Sequence, residues 1–311
     1  MIGRMHRPLM LSALALCLLQ LTPAGALAGE TYSWTPIVIP HVTVAGAFGL
    51  NDLGQVAISD ATGTVSGIYQ YGRFTRLPNP PAGFTVTATG INDAGVIAGF
   101  ATTTANAHEQ GFILNHGQYR FFSRPGWDTT EPRSIGPSGL IVGINVQDTG
   151  EYAGFVYDPS AGTFTDVTPS GSFYTIAQGI NRFGRISGSG QDDSLGRYAF
   201  ISQPNTLGTG ATASVPFLER IRLADGKANA RGINDEGVIT GWALSNGQTV
   251  GFVGSESRGY QVLVPPGGDV AGNMAFCQGI NNARQVSCVV EDANGNPLTG
   301  FIGTPMGDNQ Q

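Results

Sequence analysis

Short apolar runs alternate with small polar residues along this chain, and Asn, Asp and Gly break them at regular places. Residues 85–92 read Thr-Val-Thr-Ala-Thr-Gly-Ile-Asn, and the next apolar run opens at Val96. Period-two alternation of this kind predicts half-buried strands. Asn92-Asp93-Ala94-Gly95 between the runs predicts a tight turn, with Asn bonding the backbone ahead of it and Gly free to take a positive φ. The second unit then lays out as four strands: a at 85–92, b at 96–101, c at 110–115 and d at 118–123.

The strand-a phrase occurs six times, at 47–54, 88–95, 132–139, 177–184, 230–237 and 277–284. Spacings between its Ile or Leu are 41, 44, 45, 53 and 47 residues. Four strands at this period describe the blade of a β-propeller. The sixth unit lacks a strand d, whereas an unassigned strand, residues 31–40, precedes the first. A ring in which that N-terminal strand completes blade six leaves no open sheet edge, and Pro36 suits an outermost strand. The expected fold is therefore all-β: a six-bladed propeller of four antiparallel strands per blade, closed by the N-terminal strand. The expected domain spans 29–303, with the six repeats from about 42 to 303 and a polar tail at 304–311.

Residues 1–28 read as a signal peptide. Arg4, His6 and Arg7 precede an apolar stretch too short to span a membrane, and Ala26-Leu27-Ala28 is a small-x-small cleavage site. Export, to the periplasm or beyond, is the expected address, and no later segment is long and apolar enough for a membrane span. Without Arg4 and Arg7 the balance is 14 basic to 22 acidic side chains, net −8. Lys227 is the one lysine. An acidic chain with no basic stripe argues against nucleic acid as a partner.

Two cysteines remain after such cleavage. Most copies carry Ala three before the Ile and Gly eight after it, as in Ala88 with Gly99 and Ala230 with Gly241. These positions face one another across the a–b hairpin. In the sixth copy both change together, to Cys277 and Cys288. A cross-strand disulfide is expected, contributing about 3 kcal/mol for a loop of this size.

The phrase Gly-Ile-Asn-Asp-x-Gly-x-Ile-x-Gly, followed by Ala/Gly-Phe-Ile/Val, resembles the extracellular repeats of the bacterial HAF family. The resemblance covers about 45–303. It departs at Gly136-Pro137 in the third copy and at Arg284 in the sixth, and the family's His-Ala-Phe is nearest to Tyr198-Ala199-Phe200. It implies a secreted repeat protein and brings no catalytic residues.

Motifs for other chemistry are missing. There is no Gly-x-Ser-x-Gly elbow and no P-loop lysine. Asp52, Asp93 and Asp235 read as turn residues rather than calcium ligands, because each turn offers a single carboxylate. His41, His108 and His116 lack zinc-ligand spacing. No metal and no cofactor is expected. Asp192-Asp193 and Glu291-Asp292 are adjacent acids on b–c connections and read as solvated turns. The d–a and b–c connections share one face of a propeller. That face carries Phe84, Trp127, Tyr174 and Phe276, the candidate ligand-binding residues. The expected function is a non-catalytic binding module for a glycan or an extracellular protein. The alternatives are a glycosidase-like enzyme with a carboxylate pair around the funnel, or a purely structural repeat protein.

Overall fold

Hydrogen bonding sorts the strands into six sheets of four, and every regular element among the described residues is a strand. The computed structural model describes residues 29–103, 106–193, 196–202, 217–221, 227–255 and 257–307. The expected leader (1–28), residues 203–216 and the tail from 308 onward lie outside the described residues.

The first strand, β1 (Tyr32–Ile37), stands apart from its neighbours in sequence. Blade 1 is β2 (Val44–Leu50), β3 (Val56–Asp60), β4 (Ser66–Gln70) and β5 (Arg73–Arg76). Blade 2 is β6 (Phe84–Ile91), β7 (Ile97–Thr103), β8 (Asn106–Asn115) and β9 (Gln118–Phe122). Blade 3 is β10 (Thr129–Ile135), β11 (Ile141–Val146), β12 (Tyr152–Asp158) and β13 (Thr163–Val167). Blade 4 is β14 (Tyr174–Ile180), β15 (Ile186–Asp192), β16 (Gly196–Ser202) and β17 (Phe217–Ile221). Blade 5 is β18 (Ala228–Ile233), β19 (Ile239–Ser245), β20 (Gln248–Ser255) and β21 (Gly259–Leu263). Blade 6 is β22 (Met274–Ile280), β23 (Val286–Glu291) and β24 (Pro297–Pro305), completed by β1.

The structure is the six-bladed propeller the repeats predict. β1 pairs antiparallel with β24, with Trp34 opposite Gly303 and Pro36 opposite Phe301. The Trp34 ring meets Phe301 edge-on at 6.3 Å. The closing segment also serves the irregular sixth turn. Arg284 holds a positive φ of 59° where other copies place Gly, an uncommon conformation for a residue that carries a Cβ. Its guanidinium pairs with Glu30, and its carbonyl accepts the Tyr32 hydroxyl at 3.1 Å.

Between neighbouring blades sit six apolar clusters, one per seam. The strand-c Phe anchors most of them: Phe112, Phe155, Phe200 and Phe252 are fully buried. Burying each ring contributes about 2–3 kcal/mol. Cys277 and Cys288 lie directly opposite in β22 and β23 and form the expected disulfide.

Candidate functional site

Strand a of each blade is innermost, and these six strands line a central cavity of about 90 Å³. They approach one another at backbone distance. A Cβ on Gly49 would lie 2.8 Å from the Cα of Gly90, and one on Gly279 would lie 2.5 Å from the Phe48 carbonyl. The Gly of Gly-Ile-Asn is therefore needed where the backbones meet at the axis.

The residue before that Gly is treated differently. The register shifts there in every copy, between Ala88 and Gly90, Pro132 and Ser134, Ala177 and Gly179, Ala230 and Gly232, Cys277 and Gly279, and over Ala47–Leu50 in the first. A bulge re-aims a side chain. Phe48, Arg133, Gln178, Arg231 and Gln278 all line the cavity from this slot. Thr89, the sixth, turns to the Pro132 carbonyl at 2.9 Å.

At one end of the channel, the a–b turns form a hydrogen-bonded ring. The Nδ2 of Asn51 donates to the Asn92 carbonyl, Asn92 to Gly136, Asn181 to Asn234, Asn234 to Asn281, and Asn281 back to Asn51. Each Asn Oδ1 also caps its own turn, as with Val96 N–H on Asn92 and Val238 N–H on Asn234. A second ring lies outside the first. Asp93 Oδ1 accepts the Asp52 N–H, Asp235 accepts Arg182, Asn282 accepts Asp235, and Asp52 accepts Asn282. Asp52, Asp93 and Asp235 thus join blade to blade in addition to their turn role. Gly136 has no amide to donate, so the seam between blades 3 and 4 lacks the inner bond; Pro137 has neither a side-chain acceptor nor an N–H, so the outer bonds toward blades 2 and 4 are both missing.

The opposite end is the mouth, where the d–a and b–c connections emerge. Here the slots that vary gather charge. Glu131 pairs with Arg133 at 2.8 Å. Glu109, at the mouth end of β8, hydrogen-bonds Glu131; burial first and then the neighbouring Glu131 carboxylate push its carboxyl up to about 7. Arg231 keeps some residue surface at solvent while its guanidinium is enclosed. Burial, helped by Arg133, lowers its pKa to about 10, so it stays cationic at neutral pH. Its Nη1 donates to Gln278 at 3.2 Å, and its Nε has no partner. Arg197 stacks over the Tyr174 ring at 5.0 Å, and Tyr152 meets the same ring at 4.9 Å. Burial raises the Tyr174 hydroxyl, with Arg197 and Arg133 opposing. Burial likewise raises Glu291, against the pull of Arg231. Three guanidinium groups, Arg133, Arg197 and Arg231, therefore share one electrostatic neighbourhood with Tyr174 and Glu131.

Blades 3 to 5 also hold buried polar atoms without partners: both amide atoms of Asn145, Oγ1 of Thr175, Oδ1 of Asn229 and Nε1 of Trp242. Each is expensive to leave unsatisfied, costing about 1–3 kcal/mol.

The four aromatic candidates part company. Tyr174 belongs to the charged group just described. Phe276 sits edge-on to Trp242 at 6.0 Å. Trp127 is half-buried at the rim over blade 3, with Arg124 5.4 Å above its ring and Arg124 itself paired with Asp166. Phe84 stacks on Phe121 at 4.6 Å and packs into the seam between blades 1 and 2. The adjacent acids also separate: Asp292 accepts the Asn294 and Asn296 N–H groups in its turn, whereas Glu291 is held near Arg231. Asp192 is buried and Asp193 exposed.

The rim gathers one further group. His108, Asp128 and Asp148 each place a ligand atom within 4.8 Å of the others, with His108 Nε2 3.1 Å from Asp148 Oδ1. These three could hold a cation, although both Asp residues are exposed. Sequence spacing conceals the trio, because its members come from a strand, a d–a connection and a b–c turn. Arg133 and Arg231 were equally hidden, yet they share one signal: both occupy the variable slot of an otherwise constant phrase.

No family model matches the chain, and no curated protein does either. Solved structures do. A gluconolactonase from Xanthomonas campestris matches at 10% identity over 91% of this chain and 93% of its own, with a TM-score of 0.56. The PQQ-bound aldose sugar dehydrogenase from Streptomyces coelicolor matches at 10% identity over 89% and 99%, TM-score 0.53. The Aleuria aurantia lectin, in complex with Fucα1-6GlcNAc, matches at 11% identity over 89% and 99%, TM-score 0.50. At such identity the likeness establishes the propeller fold alone.

Proposed function

We propose that this chain is an exported, HAF-type propeller that binds a small polyhydroxylated ligand at the mouth of its channel without transforming it. One observation carries the reading: polar groups with unmet hydrogen-bonding capacity are gathered at the mouth, led by the enclosed Arg231. A protein retains such costly groups where a ligand completes them. The exposed edges of Tyr152 and Tyr174 add ring faces on which the C–H side of a sugar stacks. The disulfide is in keeping with export, and among the described residues no helix is long and apolar enough to cross a membrane. Relatives in fold that handle sugars, the aldose sugar dehydrogenase and the fucose-complexed lectin among them, make carbohydrate the first class to test.

The glycosidase alternative fares worse on distance. Glycosidase carboxyl groups stand roughly 5–9.5 Å apart, so that the scissile bond fits between them. Glu109 and Glu131 hydrogen-bond one another directly and leave no such gap. The test is a glycan array on the purified protein, repeated with Tyr174→Ala and Trp127→Ala. Binding that weakens with Tyr174→Ala supports the mouth as the site. An array on which nothing binds removes the carbohydrate reading, and product release from any bound glycan removes the non-catalytic one.

A further inference from the structure

We infer that the ligand of the mouth carries a carboxylate, as a hexuronate or another hydroxylated acid does, and that Arg231 and Arg197 form its anion seat. The inference rests on the binding reading above and narrows it.

The argument begins with charge. The chain is acidic overall, yet its mouth concentrates Arg133, Arg197 and Arg231 in mutual repulsion. Arg133 is neutralised by Glu131 at 2.8 Å. Among the described residues, neither Arg197 nor Arg231 has a carboxylate at ion-pair distance. Arg231 meets only the neutral amide of Gln278, and Arg197 only the face of Tyr174. Glu291 acts on Arg231 electrostatically without an ion-pair contact, and burial opposes that pull on its carboxyl.

Enclosing a guanidinium with no carboxylate at ion-pair distance is among the costlier arrangements a fold can hold. Arg231 could have been any side chain of similar length, since the same slot holds Phe48, Thr89, Gln178 and Gln278 elsewhere. Nothing in blade packing calls for an arginine there. Its planar fork suits the paired oxygens of a carboxylate, and its Nε is unpartnered, as those of Arg133 and Arg185 also are. Arg197, whose guanidinium lies over the Tyr174 ring at 5.0 Å, acts on Arg231 electrostatically from the preceding blade. Tyr152, exposed beside Tyr174, offers an apolar ring to the remainder of a sugar. A bare small anion would use the arginines but leave these rings idle, so a hydroxylated acid fits the whole surface better.

The experiment is calorimetric titration of the purified protein with neutral hexoses, the matching hexuronates and acetate. At least one hexuronate is expected to bind about ten-fold or more tighter than its neutral parent, and acetate far more weakly than either. Arg197→Gln, on the less enclosed of the two arginines, should lower the hexuronate-to-hexose affinity ratio by about ten-fold, and Arg231→Lys should lower it as well. Thermal denaturation of each variant establishes that it is folded. Equal affinity for hexuronate and hexose, or a ratio that Arg197→Gln leaves intact, overturns the anion seat while binding itself stands. Failure of every sugar and every sugar acid to bind overturns both readings.

Discussion

The two ends of the central channel are built from the same six strands and obey opposite rules. At the a–b turns, identical residues recur and satisfy one another around the ring. At the mouth, the corresponding residues differ from blade to blade, and several polar atoms are left with nothing to bond. Repetition thus marks what closes the ring. Departure from repetition, in the bulged slot that aims at the axis, marks where the molecule meets something else. The comparison is testable because the two ends should respond to substitution with opposite signs of stability.

The largest effect is expected in the ring. Asn234→Ala removes a donor to the Asn281 carbonyl and strands the Val238 N–H at a buried position. A loss of about 2–3 kcal/mol follows, read as a fall in Tm of about 5–10 °C for a domain of this size. A fall below about 2 °C would reduce the ring to decoration. The mouth should behave in reverse. Arg231→Met removes an enclosed charge that faces two other guanidinium groups, and well-packed apolar replacements of such groups stabilise by about 1–2 kcal/mol. A Tm that rises while ligand binding disappears is the signature of a group kept for function. A Tm that falls steeply would instead assign Arg231 to the architecture.

The ring was legible in the sequence and the mouth was not, for one physical reason. Closure requires every blade to meet its neighbour in the same way, so Gly-Ile-Asn must recur. The closing strand at Trp34 and the paired change to Cys277 and Cys288 could be read from the same regularity. A binding surface on the axis draws single residues from different blades. Glu109 reaches Glu131 from the neighbouring blade, and Arg197 reaches Arg231 across a seam; no local motif records either approach. Tyr174 was accessible because an aromatic ahead of strand a is unusual on polar connections. The same logic selected Phe84, which packs into a seam, because sequence cannot tell a ring facing the mouth from one facing the next blade. What sequence did contain, the pair of arginines in the variable slot, becomes visible only once the bulge is known to aim that slot inward.

Acid titration separates the ends by a third, smaller effect. The Glu109 carboxyl is held up to about 7 in the folded chain, against an ordinary value of 4.5. Below pH 4.5 both states carry the proton and the contribution to stability is fully present. As pH rises from 4.5 through 7, the unfolded chain releases its proton first, and that stability is lost. With more than a third of the group at solvent, the change is about 1–2 kcal/mol. Glu109→Gln should flatten this part of the stability profile. An unchanged slope would show that folding does not hold the Glu109 carboxyl up.

The smallest effect is a repair. The third copy places Gly136 where the other blades place Asn, and the seam to blade 4 lacks the amide bridge found at the other five. Gly136 has no positive φ, so a side chain is conformationally allowed. A Cβ there would stand 3.1 Å from Cγ2 of Ile180, a methyl group that must move by a few tenths of an ångström. Gly136→Asn should then donate to the Asn181 carbonyl and cap the Leu140 N–H, as Asn92 does for Val96. One net hydrogen bond of about 1 kcal/mol corresponds to a rise in Tm of about 2–4 °C. A rise makes the ring a sum of separable bridges, each worth its own increment. A fall would show that the packing of Ile180 against the neighbouring backbone, rather than the missing amide, holds blades 3 and 4 together.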